Sequence, residues 1–512
     1  MSNRLLLLLC VSVPAFMINL DANIVAVSLT SIARSLHADF SAIEWVISAY
    51  TLTFATLVMP AGALADRFGR KRILVAGLTV FTVASFFCGA ATSVTALNVA
   101  RAFQGVGATL LVSSTLAILA HGFQGQERAK AFAFWGSVIG SAILLGPIVG
   151  GVITQLLGWE WAFYVNLPIG VAMIGLTVIG VSESKDPQAD KIDIAGVITF
   201  GGFLGVLTWA LISGNREGWG SRPVIVEFVA AFLFFVAFLY VEMKQARPMM
   251  DLRYFIKPTF LGANIAAVAY AATFLTMLTY VPFFFQSALG YDPLKAGLLM
   301  FPLALPLFVV PRIVSNRLEH CMSGRALLVV GLLLVGAGLA VTSVTIGRFS
   351  YLEIVVPMLI ASMGAGVLNG QVVKVGMTVI PVERAGMASG LAGTLRVSGI
   401  VVGIAALGAV LFYRISASVW ARFPSVSADA RMAITRDIAN GNVHAAALRM
   451  QSYGGGLSVA RSSLAYGYQG LTLFAAVVAL LSAAFCWRLI DPRETAPQGM
   501  APTGESIAVS VD

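Results

Sequence analysis

Gly62-Ala63-Leu64-Ala65-Asp66-Arg67-Phe68-Gly69-Arg70-Lys71-Arg72-Ile73-Leu74 is a short charged turn wedged between two long apolar runs. The hydrocarbon core of a bilayer is about 30 Å thick, and each flanking run is long enough to cross it. A tight loop with four cations and one acid therefore reads as a cytoplasmic hairpin between two membrane helices. The pattern returns, worn down, at Asn316-Arg317-Leu318-Glu319-His320-Cys321-Met322-Ser323-Gly324-Arg325-Ala326-Leu327-Leu328. There Leu318, Leu328, Gly331 and Leu332 fall on Leu64, Leu74, Gly77 and Leu78 at a constant offset of 254.

The rest of the chain supports a membrane reading. Its 512 residues are 58% hydrophobic and 11% charged, with a mean hydropathy of +0.88, more apolar surface than a soluble core hides. The net charge of +9 is explained by basic loops between apolar runs, and nucleic acid is not an expected partner. Cys10, Cys88, Cys321 and Cys486 show neither disulfide nor metal-ligand spacing. The N-terminal apolar segment continues past Asp21 without a small-residue cleavage site and reads as a retained first helix.

Fourteen apolar windows between residues 5 and 490 are long enough to span, among them 258–287, 293–315, 386–413 and 467–490. With that count, eighteen lysines and arginines of the terminal and loop regions share one face, including Arg4, Lys71, Arg128, Lys191, Arg247, Arg384 and Arg488. The short loops opposite hold five: Arg34, Arg216, Arg222, Lys295 and Arg348. The bias puts both termini in the cytoplasm. The two hairpins join the second and third windows and the tenth and eleventh, eight helices apart, so a six-helix repeat needs two helices inserted between its copies. The expected organisation is 1–185 as an N-terminal six-helix bundle, 186–250 as two inserted helices, and 251–493 as a C-terminal six-helix bundle. A loop at 414–466 is expected to lie outside the cytoplasm as an amphipathic cap on the membrane surface, and 494–512 as a disordered cytoplasmic tail. Parallel repeats of this kind build secondary transporters with a substrate site between the halves.

Five stretches, in order, carry a family resemblance. The chain resembles the major facilitator superfamily, in particular its fourteen-helix drug:proton antiporter branch. Gly62–Leu74 is similar to the superfamily's signature loop, and Leu97-Asn98-Val99-Ala100-Arg101-Ala102-Phe103-Gln104-Gly105-Val106-Gly107 to its basic motif in the fourth helix. Gly140-Ser141-Ala142-Ile143-Leu144-Leu145-Gly146-Pro147-Ile148-Val149-Gly150-Gly151 resembles the antiporter motif of the fifth. Leu20-Asp21-Ala22-Asn23-Ile24-Val25 resembles the branch's first-helix motif, and Trp159 through Gly170 the start of its sixth helix. Asn23, Thr30 and Glu160 depart from the usual threonine, proline and basic residue, and the second hairpin has lost its aspartate. The resemblance implies an all-α polytopic major facilitator fold arranged 6+2+6 and multidrug efflux from a bacterial plasma membrane.

Ionisable groups inside a bilayer need a partner or a job. Asp21 lies about sixteen residues into the first window, roughly 24 Å along a helix rising 1.5 Å per residue, and Arg101 enters from the other side to reach the same level. The resemblance implies that the first and fourth helices line one side of the cavity, so the two can meet. Asp21 is the candidate carrier of the coupling proton and Arg101 the group that tunes it, the alternative being a permanent ion pair. Arg396 near a helix centre, Lys374, Asn369, Gln371, Phe284 and Gln286 are candidate walls of the substrate cavity; Lys374 is equally readable as a snorkelling lysine. The tenth and thirteenth windows contain no acid, and Glu227 near the outer end of the eighth reads as a surface group, so neutral or anionic amphiphiles are the expected substrates.

Gly140, Gly146, Gly150 and Gly151 permit close helix approach and Pro147 a bend, which the resemblance links to a seal against proton leak. Gly62, Asp66, Arg67, Gly69 and Arg70 form the candidate cytoplasmic gate, with Asp66 as its latch against a helix end or a basic partner.

No phosphate-binding loop, zinc cluster or nucleophile elbow occurs, and Ser182-Glu183-Ser184-Lys185 is a lone S-x-x-K in a loop. No enzyme activity, cofactor or metal is expected, and the coupling ion is H+. The alternatives are a dedicated exporter of one metabolite or antibiotic and, more remotely, a membrane-embedded lipid-handling protein or enzyme. A monomer in the lipid bilayer is expected.

Overall fold

The computed structural model describes residues 3–123, 125–185, 193–245, 248, 250, 252–380 and 385–496. Among these, every regular element is helical and fourteen helices are long and apolar enough to cross a membrane. In lipid a backbone can satisfy its polar groups only internally, so an apolar run of this length folds as helix. Residues 497–512 of the expected tail lie outside the described residues, as do Lys191, Arg247 and Arg384 of the basic face and the side chain of Arg128.

The N-terminal six are α1 (Asn3–Ser35), α2 (Phe40–Phe68), α3 (Arg70–Gly89), α4 (Val94–Gly122), α5 (Gly125–Leu156) and α6 (Trp161–Gly180). Two follow as α7 (Ile194–Glu217) and α8 (Arg222–Lys244). The second six begin with α9 (Pro258–Ser287), α10 (Pro293–Cys321), α11 (Gly324–Thr345), α12 (Tyr351–Met377) and α13 (Ala385–Arg422). Two shorter helices, α14 (Ala428–Ala439) and α15 (Val443–Gln451), precede α16 (Leu457–Leu489). Several starts are fixed by a side chain bonding a free amide of the first turn: Asp39 accepts from Ala42, Ser93 from Ala96, Asp292 from Lys295 and Ser323 from Ala326. Gly69 separates α2 from α3 at φ 112°, a backbone region that disfavours a side chain.

The halves meet along two flanks and at the face opposite the basic one. On one flank α5 lies against α10. On the other, α2 lies against α13, where Glu44 fills the space beside Gly408, and the inserted α7 packs on α2, where Gly201 admits Thr56 and the Trp45 and Trp209 rings approach to 5.7 Å. At the face opposite the basic one, Gln286 of α9 donates to the Val27 carbonyl of α1 at 2.8 Å and accepts from Thr30, and Tyr280 of α9 lies 3.2 Å from Glu44 of α2. Toward the basic face the seam loosens. Ala22 of α1 and Arg396 of α13 are exposed, whereas Val27 to Thr30 of α1 and Gly403 to Ala405 of α13 are buried.

Several helix ends run past the hydropathy windows: α1, expected to end near 27, continues to Ser35, and α5, expected to start near 131, starts at Gly125, while three others bear on the site or the outer loop. The helix expected to stop at 315 continues through a π turn at Val314–Leu318 to Cys321, carrying Glu319 onto α10. α13 runs to Arg422 and α16 starts at Leu457, so much of the expected loop 414–466 is helical extension beyond the apolar core. The remainder folds as α14 and α15 against the second half. Ile434, Ile438, Val443 and Met450 are buried in the main core, and a Cβ on Gly441 would stand 2.3 Å from Ser287 Oγ at the end of α9. These helices cap the protein itself, because their apolar stripes face its side chains.

Candidate functional site

Asp21 is fully buried and sits at the meeting point of α1, α3, α4 and α6. Arg101 Nη1 donates to its Oδ2 at 2.7 Å, while Gln104 Nε2 and Asn166 Nδ2 donate to Oδ1 at 2.9 and 2.8 Å. Ser85 Oγ accepts from Gln104 at 2.9 Å and steadies that amide. Arg101 is 1% exposed, donates its Nε to the Val46 carbonyl at 2.9 Å and lies 4.2 Å above the Tyr50 ring. The expected pair thus exists, but as the centre of a network that saturates the carboxylate with three donors. Gln104 and Asn166 were not singled out from sequence, although both lie inside quoted motifs as polar residues in apolar helices. The chemistry this carboxylate offers is the binding and release of a proton.

The motif of α5 is explained by close approach on both sides. A Cβ on Gly146 would stand 2.4 Å from Asn23 Cβ and one on Gly150 2.9 Å from Ile24 Cα, both on α1. On the other side, a Cβ on Gly140 would stand 2.8 Å from the Phe308 ring, one on Gly151 2.6 Å from the Pro293 carbonyl oxygen, and one on Gly297 of α10 2.0 Å from the Pro147 carbonyl oxygen. One helix therefore contacts α1 beside Asp21 and forms a flank of the inter-half seam.

The candidate cavity residues separate. Arg396 is exposed, forms no ion pair among the described residues and lies near enough to Tyr270 to act on it electrostatically. Asn369 and Gly370 break α12, with Gly370 at φ 98°. Just beyond the break, Glu319 accepts from both Gln371 and Lys374, so that lysine is not a free cation. Phe284 is buried in the second half, its ring 4.7 Å from that of Tyr468, and Gln286 spends its amide bridging the halves. Neither faces an open space in this conformation. Glu227 accepts from Trp209 and Ser213 and ties α8 to α7.

At the hairpin of the candidate gate, Arg70 donates Nε and Nη2 to Asp66 Oδ1 at 3.0 and 2.8 Å, closing the turn on itself. Gly62 has open space beside it, and Arg67 stacks over Phe68 at 5.5 Å. A Cβ on Gly69 would strike Glu183, whose carboxylate accepts from the backbone amides of Lys71 at 3.1 Å and Arg72 at 3.3 Å. Glu183, dismissed within a lone S-x-x-K, thus caps the N-terminus of α3. Its signal in the sequence is an acid three residues past the sixth helix, on a face rich in lysine and arginine.

A fourteen-helix bundle of two pseudo-related halves, with a buried ion pair in one and a seam between them, defines a secondary transporter rather than an enzyme. The description of the Major Facilitator Superfamily matches residues 11–404, and the chain belongs to that family. It is 34% identical over 418 residues to the multidrug resistance protein Stp of Mycobacterium tuberculosis (strain CDC 1551 / Oshkosh), covering 81% of this chain and 77% of that one. It is 31% identical to the tetracenomycin C resistance and export protein of Streptomyces glaucescens, over 96% of this chain and 93% of the other. In structure it is similar to a bacterial homologue of the human lysosomal transporter Spinster in an inward-facing conformation, with a TM-score of 0.65, 16% identity and coverage of 98% and 100%.

Proposed function

We propose that this transporter exports amphiphilic small molecules from the bacterial cytoplasm in exchange for protons, by alternating access about the seam between its halves. The basic face is assigned to the cytoplasm, with both termini, and the closed face to the outside. The observation that carries the reading is the buried Asp21 network. Three donors hold an ionised carboxylate in the conformation that loosens toward the cytoplasm, which fits a state that has released its proton there and can accept substrate. Opening to the outside would have to disturb Arg101 or Asn166, remove part of that stabilisation and let Asp21 take a proton. Substrate contact falls to the less saturated second half, where Arg396 supplies positive charge and Lys374, paired to Glu319, does not. This favours neutral or singly anionic amphiphiles.

A dedicated exporter of one antibiotic is the second reading, favoured by the 96% coverage in the match to the tetracenomycin C exporter. Substrate-stimulated proton release from reconstituted protein, across a cationic, a neutral and an anionic panel, tests the proposal. Release by several unrelated neutral or anionic compounds is the expected result. Release by one compound selects the dedicated exporter, and release by none sinks antiport.

A further inference from the structure

Glu44 is a carboxylate that the transport reading leaves without a role. It lies one residue before Trp45 near the outer end of α2, is 5% exposed, and has no lysine, arginine or histidine paired with it among the described residues. It projects across the seam: a Cβ on Gly408 of α13 would stand 1.5 Å from Glu44 Oε1, so the carboxyl occupies the space a side chain there would take. It also lines a small cavity with Leu29, Ile43, Ile47, Thr279, Tyr280, Phe283 and Ile404 at the same level.

The hydrogen count at this contact is informative. Tyr280 Oη lies 2.8 Å from the Ile404 carbonyl oxygen and 3.2 Å from Glu44 Oε1. A phenol has one hydrogen, and the carbonyl can only accept. With that hydrogen on the shorter contact, the longer one is a hydrogen bond only if Glu44 supplies the proton. An ionised Glu44 would instead face the phenolic lone pairs in an apolar seam without a cation, an arrangement that burial disfavours. The other titratable or charged groups around it do not help. Asp39 caps its own helix, Arg34 of α1 is exposed, Arg101 of α4 is committed to Asp21 and Val46, and Glu227 of α8 to Trp209 and Ser213. On α13 the nearest arginines are Arg396 and Arg414, the latter over the Tyr466 ring, and the Tyr468 hydroxyl of α16 donates to the Tyr280 carbonyl.

We propose that Glu44 is a proton-operated latch of the outer gate: protonated, it donates to Tyr280 and lets the halves close on the outside; ionised, it holds them apart. The proton comes from the outer solvent and returns to it on opening, so the latch adds nothing to the exchange stoichiometry. It makes acid outside favour the closed outer gate. The inference rests on the alternating-access reading and its sidedness.

The test is the distance between spin labels at Ser35 and Leu289, on the two sides of the outer seam, in full-length Cys321→Ser protein in nanodiscs from pH 5 to 9. The expected result is a closed population at low pH that gives way to an open one as pH rises. Glu44→Gln, which keeps an N–H to donate to Tyr280, is expected to stay closed throughout. Tyr280→Phe removes the acceptor and is expected to open at a lower pH, its midpoint shifted by about one unit or more, and Asp21→Asn to keep a pH-dependent closure. Glu44→Gln with the wild-type pH profile, or open at every pH, overturns the latch while leaving alternating access intact. A single distance at all pH in the wild-type background overturns the reading beneath it as well.

Discussion

The two halves of the transporter share a fold and bury polarity in opposite ways. In the first, Asp21 is enclosed by four helices and receives three donors, and its hairpin is tied by Glu183 to its own sixth helix. In the second, the corresponding hairpin has lost its aspartate, α10 passes through a π turn near its end, α12 breaks at Asn369 and Gly370, and Arg396 is left exposed. Saturation makes a group's protonation sensitive to small rearrangements, because each donor withdrawn changes the balance. Irregular helices with spare polar groups suit contact with varied molecules. On the proposed reading, that contrast corresponds to a division of labour between a proton-handling half and a substrate-handling half.

Removing a partner from the saturated half is the strongest way to break the comparison. Arg101→Ala leaves Asp21 in the core without its cationic partner, so that the carboxyl either stays as an unpaired charge or takes up a proton, with an expected loss of about 3–5 kcal/mol, read as a fall in thermal stability with loss of transport. Gly146→Leu comes next. Its first carbon already meets Asn23, so overpacking is expected to cost about 1–3 kcal/mol. If α5 seals the seam, the surviving protein will also dissipate an imposed pH gradient without substrate; intact gradients in folded protein would reduce the motif to packing.

Smaller effects sharpen the contrast. Glu183→Gln removes a charge from the start of α3 at a cost of about 0.3–1 kcal/mol, and is expected to lower the melting temperature by a few degrees at most, less in high salt. Arg396→Gln is expected to leave stability within about 0.5 kcal/mol, since no partner is lost. Its effect should appear as a raised KM for anionic substrates with neutral ones unchanged; an equal rise for both would remove Arg396 from the substrate side.

The fold was legible because two independent signals agree, twenty-residue apolar runs and a charge bias that fails if one helix is miscounted. The level of Asp21 against Arg101 was also legible, since helical rise and bilayer thickness fix depth. Helix ends were not: α10, α13 and α16 continue into regions where hydropathy falls but hydrogen bonding does not, which hid Glu319 on α10 and shortened the expected loop. Angular position was not legible either. Whether Phe284 points into a cavity or onto Tyr468, and whether Gln286 lines a wall or bridges to Val27, depends on helix rotation at the seam, which residue spacing within one helix does not determine.

The central claim, that Asp21 carries the coupling proton, is tested most directly by Asp21→Asn in proteoliposomes. Asparagine keeps the size and two of the polar contacts, so insertion and substrate binding are expected to persist. The account predicts that an imposed proton gradient will no longer drive substrate accumulation in this variant, while substrate exchange across the membrane without a gradient continues. Gradient-driven accumulation at the wild-type rate would contradict it.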